Sequence, residues 1–264
     1  MSRTLGPLET AALSLAQMRD LRTMRVGQLA SALRITAKQE RELLSRMARS
    51  GMIANVRKGL YIFPPKLPLG GIWTPDEATA INALMGDKNA RYQITGPKAF
   101  NRYGYSEQLP SLTTIYNDAI SGERLVGTIP LKLVKVARDR LGDVDTVRMP
   151  SGETLVYSSR ARTLVDAVYD WSRFDSLPEA YDWIRDELKA GRVTTDEVAR
   201  AAVRFGNIGT IRRIAAILDR LGGSKKSLSR LEREVKATAA KIPLLPTRPA
   251  RGPVSKRWGV VLND

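Results

Sequence analysis

The chain has 264 residues, 43% of them hydrophobic, and its 43 Lys and Arg against 27 Asp and Glu give a formal net charge of +16 at pH 7. Because it contains neither cysteine nor histidine, disulfides, the usual zinc and haem ligands and an imidazole base are excluded. This length predicts two domains rather than one, and this charge predicts attraction to polyanions.

The N-terminal residues predict two helices followed by a turn. Apolar residues recur at helical spacing from Leu5 to Leu21 and again in the shorter segment Val26–Leu33. Only Arg34 and Ile35 separate that segment from the start of the next helix, which leaves room for a tight turn. We therefore expect one helix packed behind a second, short helix that leads into a third.

The third helix is predicted from Ala37 to Ser50. Thr36 before it and Gln39 three residues later form a capping box, in which each side chain bonds the backbone N–H of the other residue. Leucine and methionine then fall on one side of the helix and polar or basic residues on the other. The polar side is predicted to carry Lys38, Arg41, Ser45 and Arg49.

A basic hairpin is predicted directly after this helix. Gly51 can end the helix in the left-handed conformation, and two extended segments, 52–56 and 60–63, surround the turn Arg57-Lys58-Gly59. A basic helix face beside a hairpin with two cations at its tip is typical of a winged helix-turn-helix, whose helix enters the major groove while the tip meets phosphates. An ordinary solvated basic surface is the other interpretation, and the co-occurrence of all these elements disfavours it.

The predicted DNA contacts follow from the chemistry of each side chain. Gln39 suits an adenine edge, and Arg41 or Lys38 suits a guanine or a phosphate. Gln39 cannot fully serve both the cap and a base, and if it caps the helix, Lys38, Arg41 and Ser45 carry the readout. The full set of candidates is Thr36, Lys38, Gln39, Arg41, Ser45, Arg49, Arg57 and Lys58.

Positive charge is concentrated at the two ends of the sequence. Residues 1–62 carry eleven Lys or Arg against four acidic residues, and residues 204–264 carry fourteen against four. A membrane surface is the competing polyanion, but no stretch approaches the roughly 20 apolar residues of a spanning helix. The first residues contain no hydrophobic secretory segment and cysteine is absent, so we expect a cytoplasmic protein that does not bind a membrane.

The domain boundary is predicted at Pro64–Gly71, because its three prolines and two glycines cannot continue a strand. Residues 1–65 would form a winged helix-turn-helix domain and residues 66–264 a mixed α/β domain, which makes the predicted fold class α+β. A helix over residues 75–85 is expected to begin at the N-cap Thr74.

The remaining elements follow from periodicity. Alternating residues predict a mostly antiparallel sheet between residues 112 and 157, and helical periodicity returns after it. The predicted strands are 91–94, 112–116, 124–129, 131–136, 146–149 and 153–157, and the predicted helices are 97–103, 162–171, 178–189, 195–205, 208–221 and 227–238. The closing segment 258–262 is expected to form a last strand or to pack back on the body.

Four acids near strands, Asp143, Asp145, Glu153 and Asp166, form the best enzymatic constellation, since metal-dependent nucleases can work with carboxylates and a lysine alone. The strand signature of such nucleases is missing, because Glu153 is followed by threonine and leucine rather than by a lysine two residues on. We therefore predict no catalytic residue, no metal or other cofactor and no enzymatic activity, and a nuclease is the least favoured hypothesis.

Several cations in the C-terminal half have two possible roles. Arg160 and Arg162 at the entry of a helix oppose its dipole, and one of Arg212 and Arg213 falls near the core, where an unpaired charge is costly. An ion pair explains these positions, and so does contact with an anion or a partner. The candidates for contact with a partner or nucleic acid are Arg160, Arg162, Arg212, Arg213, Lys225, Lys226 and Arg230.

Short motifs in both halves of the chain resemble one family. The N-terminal ones are the cap residue Thr36 and the segment Val56-Arg57-Lys58-Gly59-Leu60-Tyr61; the C-terminal ones are the segments 157–166, 207–218 and 257–263. Over most of its length the chain resembles the antitoxin and transcriptional regulator of AbiE-type (abortive infection, type IV) toxin-antitoxin systems.

This resemblance implies two roles. The N-terminal domain would bind inverted repeats in its own promoter and repress it, and the C-terminal domain would neutralise a nucleotidyltransferase-like toxin encoded next door, as in phage defence. The oligomeric state stays open, because inverted repeats can be bound by preformed dimers or by cooperating monomers. A stand-alone winged-helix regulator without a toxin and an RNA-binding protein are the alternatives.

Overall fold

The structure is a computed structural model that describes residues 5–66, 68, 71–235 and 240–264. The chain divides into two compact units, which we call the first and the second unit. The first comprises residues 1–92, 111–136 and 147–155, and the second comprises residues 93–110, 137–146 and 156–264. The sequence-predicted boundary at residue 65 lies inside the first unit. None of the described helices has the length and apolar character needed to cross a bilayer.

The N-terminal part of the first unit consists of two helices and a small antiparallel sheet. The elements are α1 (Pro7–Met18), β1 (Thr23–Arg25), α2 (Ala37–Arg49), β2 (Ala54–Arg57) and β3 (Leu60–Ile62). Strand β3 lies between β1 and β2 and runs antiparallel to both. The helices predicted at 5–21 and 37–50 and the predicted hairpin are confirmed. Apolar side chains of α1, α2, β1 and β3 share one buried core.

The predicted short helix Val26–Leu33 is wrong, because this segment is a series of turns and bends. Gly27 adopts a φ of 104°, which no helical residue does. The fully buried Glu40 carboxylate of α2 accepts the backbone N–H groups of Gly27 and Leu29, both at 2.7 Å. Since a carboxylate satisfies these donors, the segment needs no helical hydrogen bonds at its start. Strand β1, which leads into the segment, was not predicted.

A further helix of the first unit, α3, spans Glu77–Asp87. Its N-cap is Asp76, whose side chain accepts the Thr79 N–H at 2.8 Å, so the cap predicted at Thr74 is two residues too early. Both residue types are good caps. The carboxylate of Asp76 is the one that reaches the third helical N–H.

Strands β5 (Thr113–Asn117), β6 (Gly122–Val126) and β7 (Ile129–Lys135) also belong to the first unit. Strand β7 lies between the other two, antiparallel to β6 but parallel to β5. The prediction of a mostly antiparallel sheet is therefore wrong, and the pairing is mixed. Alternation along a strand reports which face is buried and says nothing about the direction of its neighbour.

The second unit is mainly helical. Strands β4 (Tyr92–Thr95) and β9 (Thr154–Ser158), whose residues 93–95 and 156–158 belong to this unit, pair in parallel with Ile94 opposite Tyr157. The other elements up to residue 235 are α4 (Pro97–Arg102), a 3-10 turn (Arg138–Arg140), β8 (Val144–Arg148), α5 (Arg160–Tyr169), α6 (Trp171–Phe174), α7 (Glu179–Lys189), α8 (Thr195–Phe205), α9 (Ile208–Arg220) and α10 (Lys225–Glu234). The predicted elements of this region are present within a few residues of their predicted bounds. Residues 236–238 of the last predicted helix lie outside the described residues.

The C-terminal segment packs against these helices. It forms three short strands, β10 (Ile242–Pro243), β11 (Val254–Ser255) and β12 (Val260–Val261), with β12 between the others. The Trp258 side chain is buried in the same core as the helices. The expectation that this segment forms a strand or packs back is confirmed on both counts, and the fold as a whole is α+β.

Candidate functional site

The capping box at the start of α2 is formed as predicted. The Gln39 N–H donates to the Thr36 hydroxyl at 3.2 Å, and the Thr36 N–H donates to the Gln39 side-chain oxygen at 2.8 Å. The Gln39 oxygen is therefore committed to the helix start. With Gln39 engaged in the cap, the sequence predicts base readout by Lys38, Arg41 and Ser45.

The exposed face of α2 is basic. Lys38, Arg41, Ser45 and Arg49 are all exposed, and they lie about half a turn from the buried Leu43, Leu44 and Met47. Within the part of the chain that the structure describes, none of the three cations forms an ion pair. One acid, Glu42, is exposed at the edge of this face. The surface defined by Lys38, Arg41, Ser45 and Arg49 is called the α2 face below.

Glu40, which was not among the predicted functional residues, bonds the segment before α2. Its carboxylate is fully buried on the inner side of the helix and bonds the N–H groups of Gly27 and Leu29. Hydrogen bonds to an ionised acceptor are about twice as strong as neutral ones. These two bonds therefore add to the apolar contacts of Leu29 that hold the preceding turn against α2. Its position among apolar residues of the inner face was the signal available in the sequence.

The hairpin tip presents one cation outward and holds another one back. Gly59, with a φ of 81°, closes the turn between β2 and β3, and Lys58 is exposed there. Arg57 makes two charge-assisted hydrogen bonds to Asp87, from Nε and Nη2, both 2.6 Å long. These bonds raise the pKa of Arg57 and lower the pKa of Asp87. Of the two predicted phosphate contacts, Lys58 is therefore the outward one.

Arg162, predicted as a possible partner contact, is an internal residue. It is fully buried, and its Nε donates to the Asp166 carboxylate at 2.9 Å. Its other nitrogens donate to the carbonyls of Arg140 and Gly142, and the guanidinium lies 3.9 Å from the centre of the Phe205 ring. A fully buried guanidinium cannot meet a partner, so the ion-pair interpretation of Arg162 is the correct one.

Arg212 and Arg213 anchor the C-terminal segment. Arg212 is buried and donates from Nε to the Trp258 carbonyl at 2.7 Å and from Nη2 to the carbonyls of Ala240 and Gly259. Arg213 donates to the Pro243 carbonyl at 3.1 Å. Burial lowers the pKa of both arginines. Backbone carbonyls of the C-terminal segment take the place of the expected ion pairs.

The other candidate cations of the second unit remain at the surface. Lys225 and Lys226 are exposed at the start of α10. Arg160 is partly exposed and pairs with the buried Glu187 at 3.0 Å, and Arg230 lies 3.6 Å from Asp196. Of the seven predicted contacts, these four are accessible, and the two lysines are the most exposed of them.

The acidic candidates do not form a metal site among the described residues. Asp166 is fully buried, and its two oxygens accept from Arg140, Arg162, Thr95 and Ser158. Because four donors surround the carboxylate, it has no approach for a metal or a substrate. Two further predicted acids are also engaged, since the Tyr103 hydroxyl donates to Asp145 and the Asn82 amide donates to Glu153, each at 2.8 Å.

Two clefts have linings that contain both arginines and acidic residues. One, of about 390 Å³ in the first unit, is lined by Arg22, Arg25, Leu60 and Asp87 among others. The other, of about 870 Å³ in the second unit, has arginines and acids on its walls. Its charged lining consists of Asp143, Asp145, Arg160, Arg192, Glu197, Arg200, Arg204 and Arg230.

No protein-family model and no curated protein matches the chain. Among solved structures, its fold is similar to that of the RV2827C protein from Mycobacterium tuberculosis, with a TM-score of 0.59. The two chains are 12% identical, and the similarity covers 98% of this chain and 92% of the other. Identity this low shows a shared fold and transfers no residue role.

Proposed function

We propose that the protein is a sequence-specific DNA-binding regulator and that residues 5–63 form a winged-helix domain, in which the turns of Val26–Leu33 stand where a helix-turn-helix has its first helix. The observation that carries the proposal is the α2 face, three cations without an acidic partner among the described residues, on a capped helix followed by a basic hairpin tip. An α-helix fits the major groove, and Arg or Lys at its exposed face can reach guanine edges or phosphates. In this proposal α2 reads bases and the β2–β3 hairpin is the wing.

The proposed contacts divide into readout and anchoring. Arg41, Lys38 and Ser45 face the groove, while Lys58 at the hairpin tip and Arg49 near the end of α2 hold phosphates. Phosphate contacts raise affinity for every sequence, whereas base contacts raise it for one sequence. The two groups therefore have different mutational signatures.

Arg41→Ala and Lys58→Ala, compared on operator and random duplex, test this division. We expect Arg41→Ala to cost about 1–3 kcal/mol on the operator and little on random DNA. Lys58→Ala should weaken both and lower the salt slope by roughly 0.9, the contribution of one phosphate contact. Arg124→Ala, an exposed arginine on strand β6, is the control for loss of one positive charge. Equal losses on both duplexes for Arg41→Ala would overturn the groove assignment.

We further propose that the same chain is the antitoxin and autorepressor of a type IV toxin-antitoxin system, acting on a nucleotidyltransferase-like toxin. The support is the resemblance in segments 157–166, 207–218 and 257–263. Each of these segments contains residues that build the second unit, such as Arg162, Arg212 and Trp258. These motifs therefore contain residues that stabilise the fold of the second unit. Contacts with a toxin would come from surface residues such as Lys225 and Lys226.

Repression and neutralisation should be separable in the intact 264-residue chain. A fragment starting at residue 66 is unsuitable, because the Gly127 N–H donates to the Asn55 carbonyl within the first unit. We expect Arg41→Ala to lose repression of its own promoter and still rescue growth when the neighbouring toxin gene is expressed. We expect the double variant Lys225→Glu, Lys226→Glu to keep repression of the promoter and to lose the rescue of growth. If neither the native chain nor any folded variant rescues growth, the protein is a regulator without a toxin. Binding to structured RNA in preference to duplex DNA would favour the RNA-binding alternative.

A further inference from the structure

Three cations of the first unit converge on one buried carboxylate. The Asp87 side chain is only 2% exposed, at the end of α3. Its Oδ1 lies 2.6 Å from Arg57 Nη2 and 2.8 Å from Arg25 Nη2, and its Oδ2 lies 2.6 Å from Arg57 Nε and 3.7 Å from Lys88 Nζ. Two arginines thus share one acceptor group, although their own side chains are partly open to solvent, at 57% for Arg25 and 36% for Arg57.

The small sheet explains why these two arginines meet. Arg25 on β1 and Arg57 on β2 are both cross-strand partners of Leu60 on the central strand β3. Cross-strand partners point to the same face of a sheet. The two side chains therefore flank the buried Leu60, and Asp87 lies where both can reach it. The carboxylate ties the sheet that carries the hairpin tip to helix α3.

We propose that Asp87 is an internal counter-anion that withholds Arg25 and Arg57 from DNA phosphates and thereby suppresses binding to random sequences. The inference rests on the proposed DNA-binding function. A phosphate oxygen and a carboxylate oxygen are the same kind of acceptor for a guanidinium, and both can be bound in bidentate fashion. A passing phosphate has to displace a carboxylate that is already bound at 2.6 Å and fixed by the fold.

Asp87 favours specificity. Binding to random DNA depends almost entirely on phosphate contacts, whereas binding to an operator also includes base contacts. A phosphate contact that both complexes lose costs each the same free energy, so the ratio of operator to random affinity changes through a second effect of Asp87. Asp87 also holds the hairpin in one position, which the operator complex uses and random binding does not need.

Asp87→Asn tests the inference on random duplex DNA across a salt series. The amide keeps the shape of the side chain and removes its charge, so Arg25 and Arg57 are released. We expect tighter random binding, a salt slope steeper by roughly 0.9 for each released cation, and a lower ratio of operator to random affinity. Asp20→Asn is the matched control, because it removes one negative charge from an exposed acid that lies 3.6 Å from Arg22. Equal gains for both variants would overturn the inference, since net charge alone would then explain them.

Arg57→Gln supplies a second test, and its measurement in the native chain does not need the Asp87 variant to fold. In the native chain, Arg57 is withheld, so Arg57→Gln should leave the slope on random DNA unchanged. In the Asp87→Asn background the same change should remove the gain in slope that Arg57 contributes. A loss of roughly 0.9 in slope for Arg57→Gln in the native chain would show that Arg57 already contacts phosphate, which overturns the inference.

The result separates this inference from the proposed function. Operator preference of the native chain tests the function, whereas the Asp87 comparison uses random duplex alone. If the native chain prefers the operator and Asp87→Asn does not gain affinity for random duplex, only the counter-anion role is overturned. If Asp87→Asn gains affinity for random duplex and the native chain does not prefer the operator, the counter-anion role is supported. The proposal of sequence-specific regulation is then overturned.

Discussion

At the scale of single residues, the same side-chain type has opposite roles in the two units. Arg41 is exposed on the α2 face, whereas Arg162 is fully buried beside Asp166. The sequence distinguishes them only in part, because Asp166 lies four residues after Arg162 and predicts a pair on one helix. Arg57 and Asp87 are 30 residues apart in the sequence, and no local sequence pattern predicts their ion pair.

Asp166→Ala should strongly destabilise the protein. It leaves Arg162 buried without its counter-charge, and breaking a buried pair by removing one partner costs about 3–5 kcal/mol. Denaturant unfolding measures this loss directly. Asp182→Ala is the control, because Asp182 is exposed and pairs with Arg185 on the surface of α7, where such a pair contributes about 0–1 kcal/mol. A loss for Asp166→Ala no larger than that of the control would contradict the internal role of this network.

The Asp87 carboxylate should make stability depend on pH in the acidic range. Its hydrogen bonds from Arg57 lower its pKa in the folded state below the unfolded value of about 3.9. A lowered folded pKa contributes stability that is present above the unfolded pKa and is lost as pH falls through the folded one. The native chain should therefore exceed Asp87→Asn in free energy of unfolding at neutral pH, and the difference should vanish at strongly acidic pH. A difference independent of pH would refute this assignment.

At the scale of elements, capping residues and apolar periodicity predicted most of the helices. The prediction was wrong where hydrogen bonds come from residues that are distant in the sequence. The start of α2 was predictable because Thr36 and Gln39 satisfy each other's N–H groups within four residues. The segment Val26–Leu33 was not, because the acceptor of its N–H groups, Glu40, lies on another element. The parallel pairing of strands was not predicted for a related reason. The alternation of apolar and polar residues along one strand does not show which strand pairs with it or in which direction.

Glu40→Gln tests how α2 is held. The amide offers one oxygen and presents an NH₂ group to a second N–H, so one buried donor loses its acceptor at a cost of about 1–3 kcal/mol. We expect lower stability and weaker operator binding, because α2 is no longer fixed against the preceding turn. Glu42→Gln removes the same charge from the exposed side of the same helix and should change stability by less than about 0.5 kcal/mol. Operator binding weakened equally by both variants would contradict this role of Glu40, because the loss of one acidic charge by itself should strengthen binding to DNA.

At the scale of the whole molecule, periodicity and turn residues predicted the α+β class, but they did not predict how the chain is divided. The sequence places a boundary at Pro64–Gly71, whereas the first unit also includes residues 111–136 and 147–155. Proline and glycine mark where a strand stops, and they do not show which later segments return to pack on it. The basic ends of the sequence likewise contain both exposed cations, such as Lys58, and internal ones, such as Arg212.

The central claim is specific recognition of DNA by the α2 face. We would measure binding of the 264-residue chain to the DNA upstream of its own gene and to random duplex of equal length, across a salt series. We expect an operator preference that persists as salt rises, because base contacts are less sensitive to salt than phosphate contacts. Equal and steeply salt-dependent binding to both duplexes would contradict the claim and leave only the attraction expected of a net charge of +16.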